Sequence, residues 1–185
     1  VGSSTPILYI SGQNDGDQAC ERTKWANIHF DADGDTQHCV ESGSTNHFQS
    51  WLNCRFSNAT SHGVYKLANT WHFMGCRFDH NAGDGLRMDA AAYDLYYKCL
   101  FDNNTGDGVD TVTENSFRHN WIECVFYKNG GRGFQCSGAG SLVANCVFDS
   151  NTEEGLRDTG SSIQTFRVGN IYSNNGEAGV NTYSC

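Results

Sequence analysis

The sequence has one proline in 185 residues and is short of positive charge, with 12 Lys and Arg against 21 Asp and Glu and a formal net charge of −9. A phosphate-backbone partner needs clustered basic residues, so no nucleic acid is expected to bind. No apolar run approaches the roughly 18 residues of a membrane-spanning helix, so no membrane span is expected. The opening VGSSTPILYI has neither the basic nor the apolar region of a secretory signal. It also lacks an initiator Met, which marks the sequence as a processed chain or as a segment of a longer polypeptide. Helix-favouring runs are scarce, while 21 Gly and many Asn, Asp, Ser and Thr favour turns and strands. No cofactor is expected, and the length predicts one domain, residues 1–185.

What is present is an internal repeat. Six segments align: NCRFSNATSHGV (53–64), GCRFDHNAGDGL (75–86), KCLFDNNTGDGV (98–109), ECVFYKNGGRGF (123–134), NCVFDSNTEEGL (145–156) and GNIYSNNGEAGV (169–180). The aromatic column Phe56, Phe78, Phe101, Phe126, Phe148 and Tyr172 recurs every 22 to 25 residues, and ANIHFDADG (26–34) places Phe30 at its head. Period-two alternation predicts that Leu52, Cys54 and Phe56 share one buried face of a strand, as do their equivalents in later repeats. Seven residues after each aromatic stands a Gly, then an apolar residue, which reads as a permissive turn leading into a second strand. A third strand completes the unit, and at about 3.3 Å per residue no room is left for a helix.

The pattern therefore predicts an all-β, right-handed parallel β-helix of about seven coils of 22–26 residues. A leucine-rich repeat shares a similar period. It would need Leu after Asn81, Asn104, Asn129, Asn151 and Asn175, where this chain has Ala, Thr or Gly. That Asn column instead predicts a ladder of stacked amides at a turn.

Nine Cys in a short chain would suggest a disulfide framework, but the number is odd and five occupy one repeat position: Cys54, Cys76, Cys99, Cys124 and Cys146. Stacked in register at about 4.8 Å they do not readily meet disulfide geometry, and they read as free, buried apolar fillers. A pair among Cys20, Cys39, Cys136 and Cys185 stays open.

The repeat resembles the pectate-lyase-like right-handed β-helix superfamily of polysaccharide lyases, some glycoside hydrolases and phage tail-spike proteins. ANIHFDADGDTQHCVES followed by WLNCRFSNATSHGV looks like the opening coils of that group, and the likeness covers about residues 25–185. The hydrolase members show paired Asp motifs and Gly-His-Gly. This chain has Ser61-His62-Gly63, no Asp-Asp pair and no lyase-like Arg/Lys cluster, so no catalytic role is inherited from the fold.

Chemistry in such a fold is sought down columns. Six residues after the aromatic the column reads His62, Asp84, Asp107, Arg132, Glu154, Ala178. Carboxylates on neighbouring coils could serve as an acid and base pair; the alternative is that Asp84 and Asp107 are turn residues in Gly-Asp-Gly loops. The column Ser57, Asp79, Asp102, Tyr127, Asp149, Ser173 offers carboxylates for a hard cation, against solvated acidic turns; no metal is expected. Tyr65, Trp71 and Tyr127 are candidate sugar platforms. Outward positions run His29, Arg55, Arg77, then Leu100, Val125, Val147 and Ile171, and that apolar stripe predicts a homotrimer interface.

Two functions follow as expectations. One is a phage tail-spike-like or tail-fibre-like module, at a virion tail or extracellular, that binds and could degrade host surface polysaccharide. The other is a secreted polysaccharide lyase or glycoside hydrolase using Asp84, Asp107, His62 and Arg132. The chain ends straight after the sixth strong repeat without a cap, so further polypeptide or another subunit is expected to continue the stack.

Overall fold

The computed structural model describes residues 5–10, 22–44, 47–89, 91–112, 118–137, 140–159, 165–177 and 179–182. Their 22 strands are each three residues long and pair in parallel into three sheets. Sheet I has eight strands, from Leu8–Ile10 to Val180–Thr182. Sheet II has seven, from Lys24–Ala26 to Phe166–Val168, and sheet III has seven, from His29–Asp31 to Ile171–Ser173. Each coil runs through II, III and I in turn, and no helix occurs among the described residues. Six turns separate the first and last aromatic of the column.

The aromatics form one file. Phe30, Phe56, Phe78, Phe101, Phe126, Phe148 and Tyr172 stack face to face with ring centroids 5.4, 4.9, 4.6, 5.1, 4.6 and 5.0 Å apart. In-register strand pairing sets that spacing, since each aromatic is the Cα partner of the next. A second file, Trp25, Trp51, Phe73, Tyr96 and Trp121, stacks beside it from sheet II.

That second file corrects the expected alternation. Leu52 and Val168 are 43% and 59% exposed, and the residue one place earlier, such as Trp51 or Phe73, is buried. The cause is the residue between sheets II and III. Asn53, Gly75, Lys98, Glu123, Asn145 and Gly169 all have φ between 50° and 65°, which turns the chain and restarts the period of two. Lys98 and Glu123 adopt this backbone with ordinary side chains, at roughly 1–2 kcal/mol each.

The thiol and amide columns stand as expected. Cys39, Cys54, Cys76, Cys99, Cys124, Cys136 and Cys146 are free and buried. The Sγ of Cys76, Cys99, Cys124 and Cys146 sits 3.4–3.5 Å from a carbonyl of the preceding coil. Cys20 and Cys185 lie outside the described residues. The Asn side chains form a continuous ladder, Nδ2 to Oδ1, at 2.9 Å from Asn81 to Asn104, 3.0 Å to Asn129, 2.9 Å to Asn151 and 2.9 Å to Asn175.

Candidate functional site

The site lies on the corner between sheets III and I, where Gly at the fifth place after the aromatic leaves room for the side chains of the preceding coil. A Cβ on Gly106 would collide with Asp84 Oδ1, and one on Gly131 with Asp107 Oδ1. Across these glycines the column forms a chain of contacts. The backbone N–H of Asp107 donates to Asp84 Oδ1 at 2.8 Å, and that of Arg132 to Asp107 Oδ1 at 2.6 Å. Arg132 reaches on to Glu154 at 3.0 Å and Glu153 at 2.7 Å, with Asp107 Oδ2 at 3.6 Å. His62 Nδ1 accepts the Asp84 N–H at 3.0 Å and lies 3.2 Å from Asp84 Oδ2. The structure thus brings His62, Asp84, Asp107 and Arg132 into one row. Both carboxylates also carry the backbone role of turn residues, but as groups only 8% exposed. Ala178 lies outside the described residues.

Burial pushes the Asp107 carboxyl up to about 7; the Arg132 backbone N–H opposes this and the neighbouring Asp84 adds to it. Asp107 therefore takes up a proton as pH falls through about 7, where an ordinary aspartate stays ionised.

The column read missed two groups. His38 heads the row: its ring stacks on His62 at 5.4 Å and its Nδ1 accepts the His62 N–H at 3.3 Å. Burial, then His62, pushes its pKa down to about 4. The second group is the outward row of sheet I, nine places after the aromatic at Tyr65, Arg87, Asp110, Gln135 and Arg157 and eleven at Glu41, all in register. Arg87 sits 3.4 Å from Asp110 and 3.7 Å from Asp84, Gln135 donates to Asp110 at 3.0 Å, and Tyr65 donates to Asp89 at 2.7 Å. Carrying the alternation one residue past Val64, Leu86 and Val109 would have found this row.

Other candidates are relocated. Trp71 is fully buried and is core, not a sugar platform, whereas Tyr65 and Tyr127 are half-buried at the surface. Asp79 and Asp102 are neither solvated nor open to a cation. Arg55 grips Asp79 at 2.7 and 2.5 Å, and Arg77 grips Asp102 at 2.9 and 2.7 Å. Among the described residues no group of three or more His, Cys, Asp or Glu could hold a metal. No helix among them is long and apolar enough to cross a membrane. Leu100, Val125, Val147 and Ile171 are adjacent on the outside of sheet III, the first three half-buried and Ile171 59% exposed.

Three parallel sheets, stacked aromatic and amide files and an outward polar ladder define a parallel β-solenoid. The chain belongs to the right-handed β-helix family, whose profile, described as a right handed beta helix region, matches residues 16–170. Comparison with curated protein sequences finds no match. Among solved structures it is similar to a point mutant of the periplasmic alginate epimerase AlgG, with a TM-score of 0.76 at 12% identity over 95% of this chain and 54% of that one. It is also similar to the ORF18 protein of Geobacillus virus E2, with a TM-score of 0.63 at 15% identity over 91% and 43%. The surface adhesin PfbA of Streptococcus pneumoniae aligns at 0.58, with 11% identity over 86% and 46%, and pectate lyase Pel9A at 0.55, with 14% identity over 100% and 66%. The chain spans about half the length of the first three of these structures.

Proposed function

We propose that this chain is a polysaccharide-binding β-helix module of the phage tail-spike or tail-fibre kind, acting at a virion tail or elsewhere outside the cell. The observation that carries the reading is the double polar ladder. His62, Asp84, Asp107 and Arg132 run beside Tyr65, Arg87, Asp110 and Gln135, at one set of groups per coil. A linear repeat of charged and hydrogen-bonding groups suits a linear polymer of hydroxyls and carboxylates. The similar structures support it: two are enzymes named for alginate and pectate, one is a viral protein and one is a surface adhesin.

A second reading, a secreted polysaccharide lyase or glycoside hydrolase, is favoured by the Asp107 carboxyl raised to about 7 beside Asp84. A protonated carboxyl can donate to a leaving oxygen while its ionised neighbour acts as base or nucleophile. Incubation with acidic polysaccharides, assayed separately for unsaturated products and for new reducing ends, tests both readings. Turnover that is lost in Asp84→Asn and Asp107→Asn, and that declines as pH rises through about 7 and Asp107 ionises, establishes the enzyme. Retention on the polysaccharide without turnover establishes the binding module. Neither retention nor turnover overturns both.

The same reading makes Leu100, Val125, Val147 and Ile171 a face between identical copies in a homotrimer. Native mass measurement is expected to give a trimer, with Val125→Glu shifted to monomer. A wild-type monomer removes the interface.

A further inference from the structure

The turn after sheet III has one length in every coil but the first. From Phe56, Phe78, Phe101, Phe126 and Phe148 the first residue of the sheet I strand is eight places on, whereas from Phe30 to Val40 it is ten. The extra residues fold into a tight turn. The N–H of Asp35 bonds to Ala32 O at 2.8 Å, and that of Gly34 to Asn58 O in the next coil, also at 2.8 Å. This turn walls one end of an open cleft of about 490 Å³, lined by Asp33, Asn58, Thr60, His80 and Thr105, with Ala82 among its apolar surfaces.

His80 is held in place from behind. Its Nδ1 lies 2.7 Å from Asp79 Oδ2, on a carboxylate that is fully buried and clasped by Arg55. An ionised carboxylate only accepts, so in the neutral ring Nδ1 carries the proton and Nε2, on the opposite edge, carries a lone pair. Asp33 is exposed and adds carboxylate acceptors. The Thr60 hydroxyl donates to Thr36 O at 3.0 Å, which leaves its own lone pairs for a ligand. The cleft therefore offers mainly acceptors, with the Asn58 amide and the Thr105 hydroxyl able to donate as well, and a methyl surface, and no Lys or Arg lines it. That chemistry suits a donor-rich, uncharged ligand and disfavours an anion.

We propose that this cleft is a second saccharide subsite, taking a neutral sugar residue whose hydroxyls donate to His80 Nε2 and to the Asp33 carboxylate. The inference rests on the polysaccharide-binding reading and extends it around the corner. Thr60 and Thr105 stand two residues before His62 and Asp107, so a glycan crossing the corner would touch both flanks.

The test is NMR titration of the histidine ring signals with neutral hexasaccharides of glucose, galactose and mannose, and with an acidic oligoalginate. At least one neutral probe is expected to shift His80 saturably. His80→Ala and Asp33→Ala are each expected to weaken that binding about fivefold, the worth of one hydrogen bond, with the His62 signal of the folded protein still present in each variant. Shifts at His62 with none at His80 overturn the subsite and leave the acid-row reading standing. A stronger His80 response to oligoalginate than to every neutral probe overturns the neutral-sugar assignment. No response at any histidine overturns the subsite together with the reading beneath it.

Discussion

Lys66→Met is expected to lower the stability of the fold by about 3–5 kcal/mol, because it strands a carboxylate in the core. Lys66 and Asp94 are both fully buried, with Nζ 2.7 Å from Oδ2. The ammonium also donates to the Ala68 carbonyl and lies 5.4 Å from the centroid of the Trp71 ring. Asp94 accepts the Trp71 N–H at 2.7 Å and the Tyr96 hydroxyl at 3.1 Å, and has His119 Nδ1 at 3.2 Å. Burial pushes Asp94 up, and Lys66 and His119 more than offset that, holding it below the ordinary carboxylate range. Its contribution is therefore present above the unfolded carboxylate range and is lost as pH falls through the lowered folded value.

Urea unfolding of the single variant measures the cost, and the double variant Lys66→Met with Asp94→Asn is expected to recover part of it because no charge then remains unpaired. A single variant within about 0.5 kcal/mol of wild type would show that water reaches this pocket and that the pair is not sealed. Coils this similar could pair one step out of place with their aromatic files intact. A charge pair joining one particular coil to the next penalises any such slip, which is a specificity role that mere stability does not require.

Asn104→Asp is expected to cost about 2–4 kcal/mol at neutral pH, from stranded or opposed hydrogen-bonding groups at about 1–3 kcal/mol each. The Asn104 amide donates to Phe78 O at 3.0 Å and Asn129 Oδ1 at 3.0 Å. Its oxygen accepts from Asn81, from the backbone N–H at 3.2 Å and from Nδ2 at 2.9 Å. Aspartate keeps the shape and the accepting oxygen but turns both donors into acceptors facing Phe78 O and Asn129 Oδ1. The loss should ease in acid as the carboxyl takes up a proton and can donate again. Chemical denaturation at two pH values checks this. A pH-independent loss equal to that of Asn104→Leu would mean that packing, not amide polarity, holds the ladder.

Both variants act on features of unequal legibility. The Asn column recurs at one repeat position, so spacing alone exposed it. Lys66, Asp94 and His119 occur once each and lie 28 and 25 residues apart, in segments outside the aligned repeats. Nothing in their local sequence announces that they meet. The acidic row is visible as a column, since Asp84 and Asp107 share a repeat position, but its neighbours on sheet I differ in type from coil to coil, Tyr65, Arg87, Asp110 and Gln135, so no recurring residue marks them. Trp71 illustrates the opposite error. An aromatic in a polar-looking segment reads as a surface platform until the corner geometry shows it turned inward beside Trp51 and Phe73.

The sequence by itself determined that this chain is a stacked spiral of strands, because a file of aromatics, thiols and amides recurring every two dozen residues has one economical explanation: like lies on like. It also determined which residues share a row, since parallel in-register pairing carries repeat position directly into space. Only the tertiary structure decided which way the rows before the corner between sheets II and III face. A single left-handed residue at a corner inverts the inside and outside of everything before it, as at Asn53 and Lys98. The tertiary structure alone also decided which charges are satisfied. Arg55 with Asp79 and Lys66 with Asp94 are joined across coils, and burial, which no spacing records, sets whether such groups are solvated, paired or, as Asp107 is, able to take up a proton as pH falls through about 7.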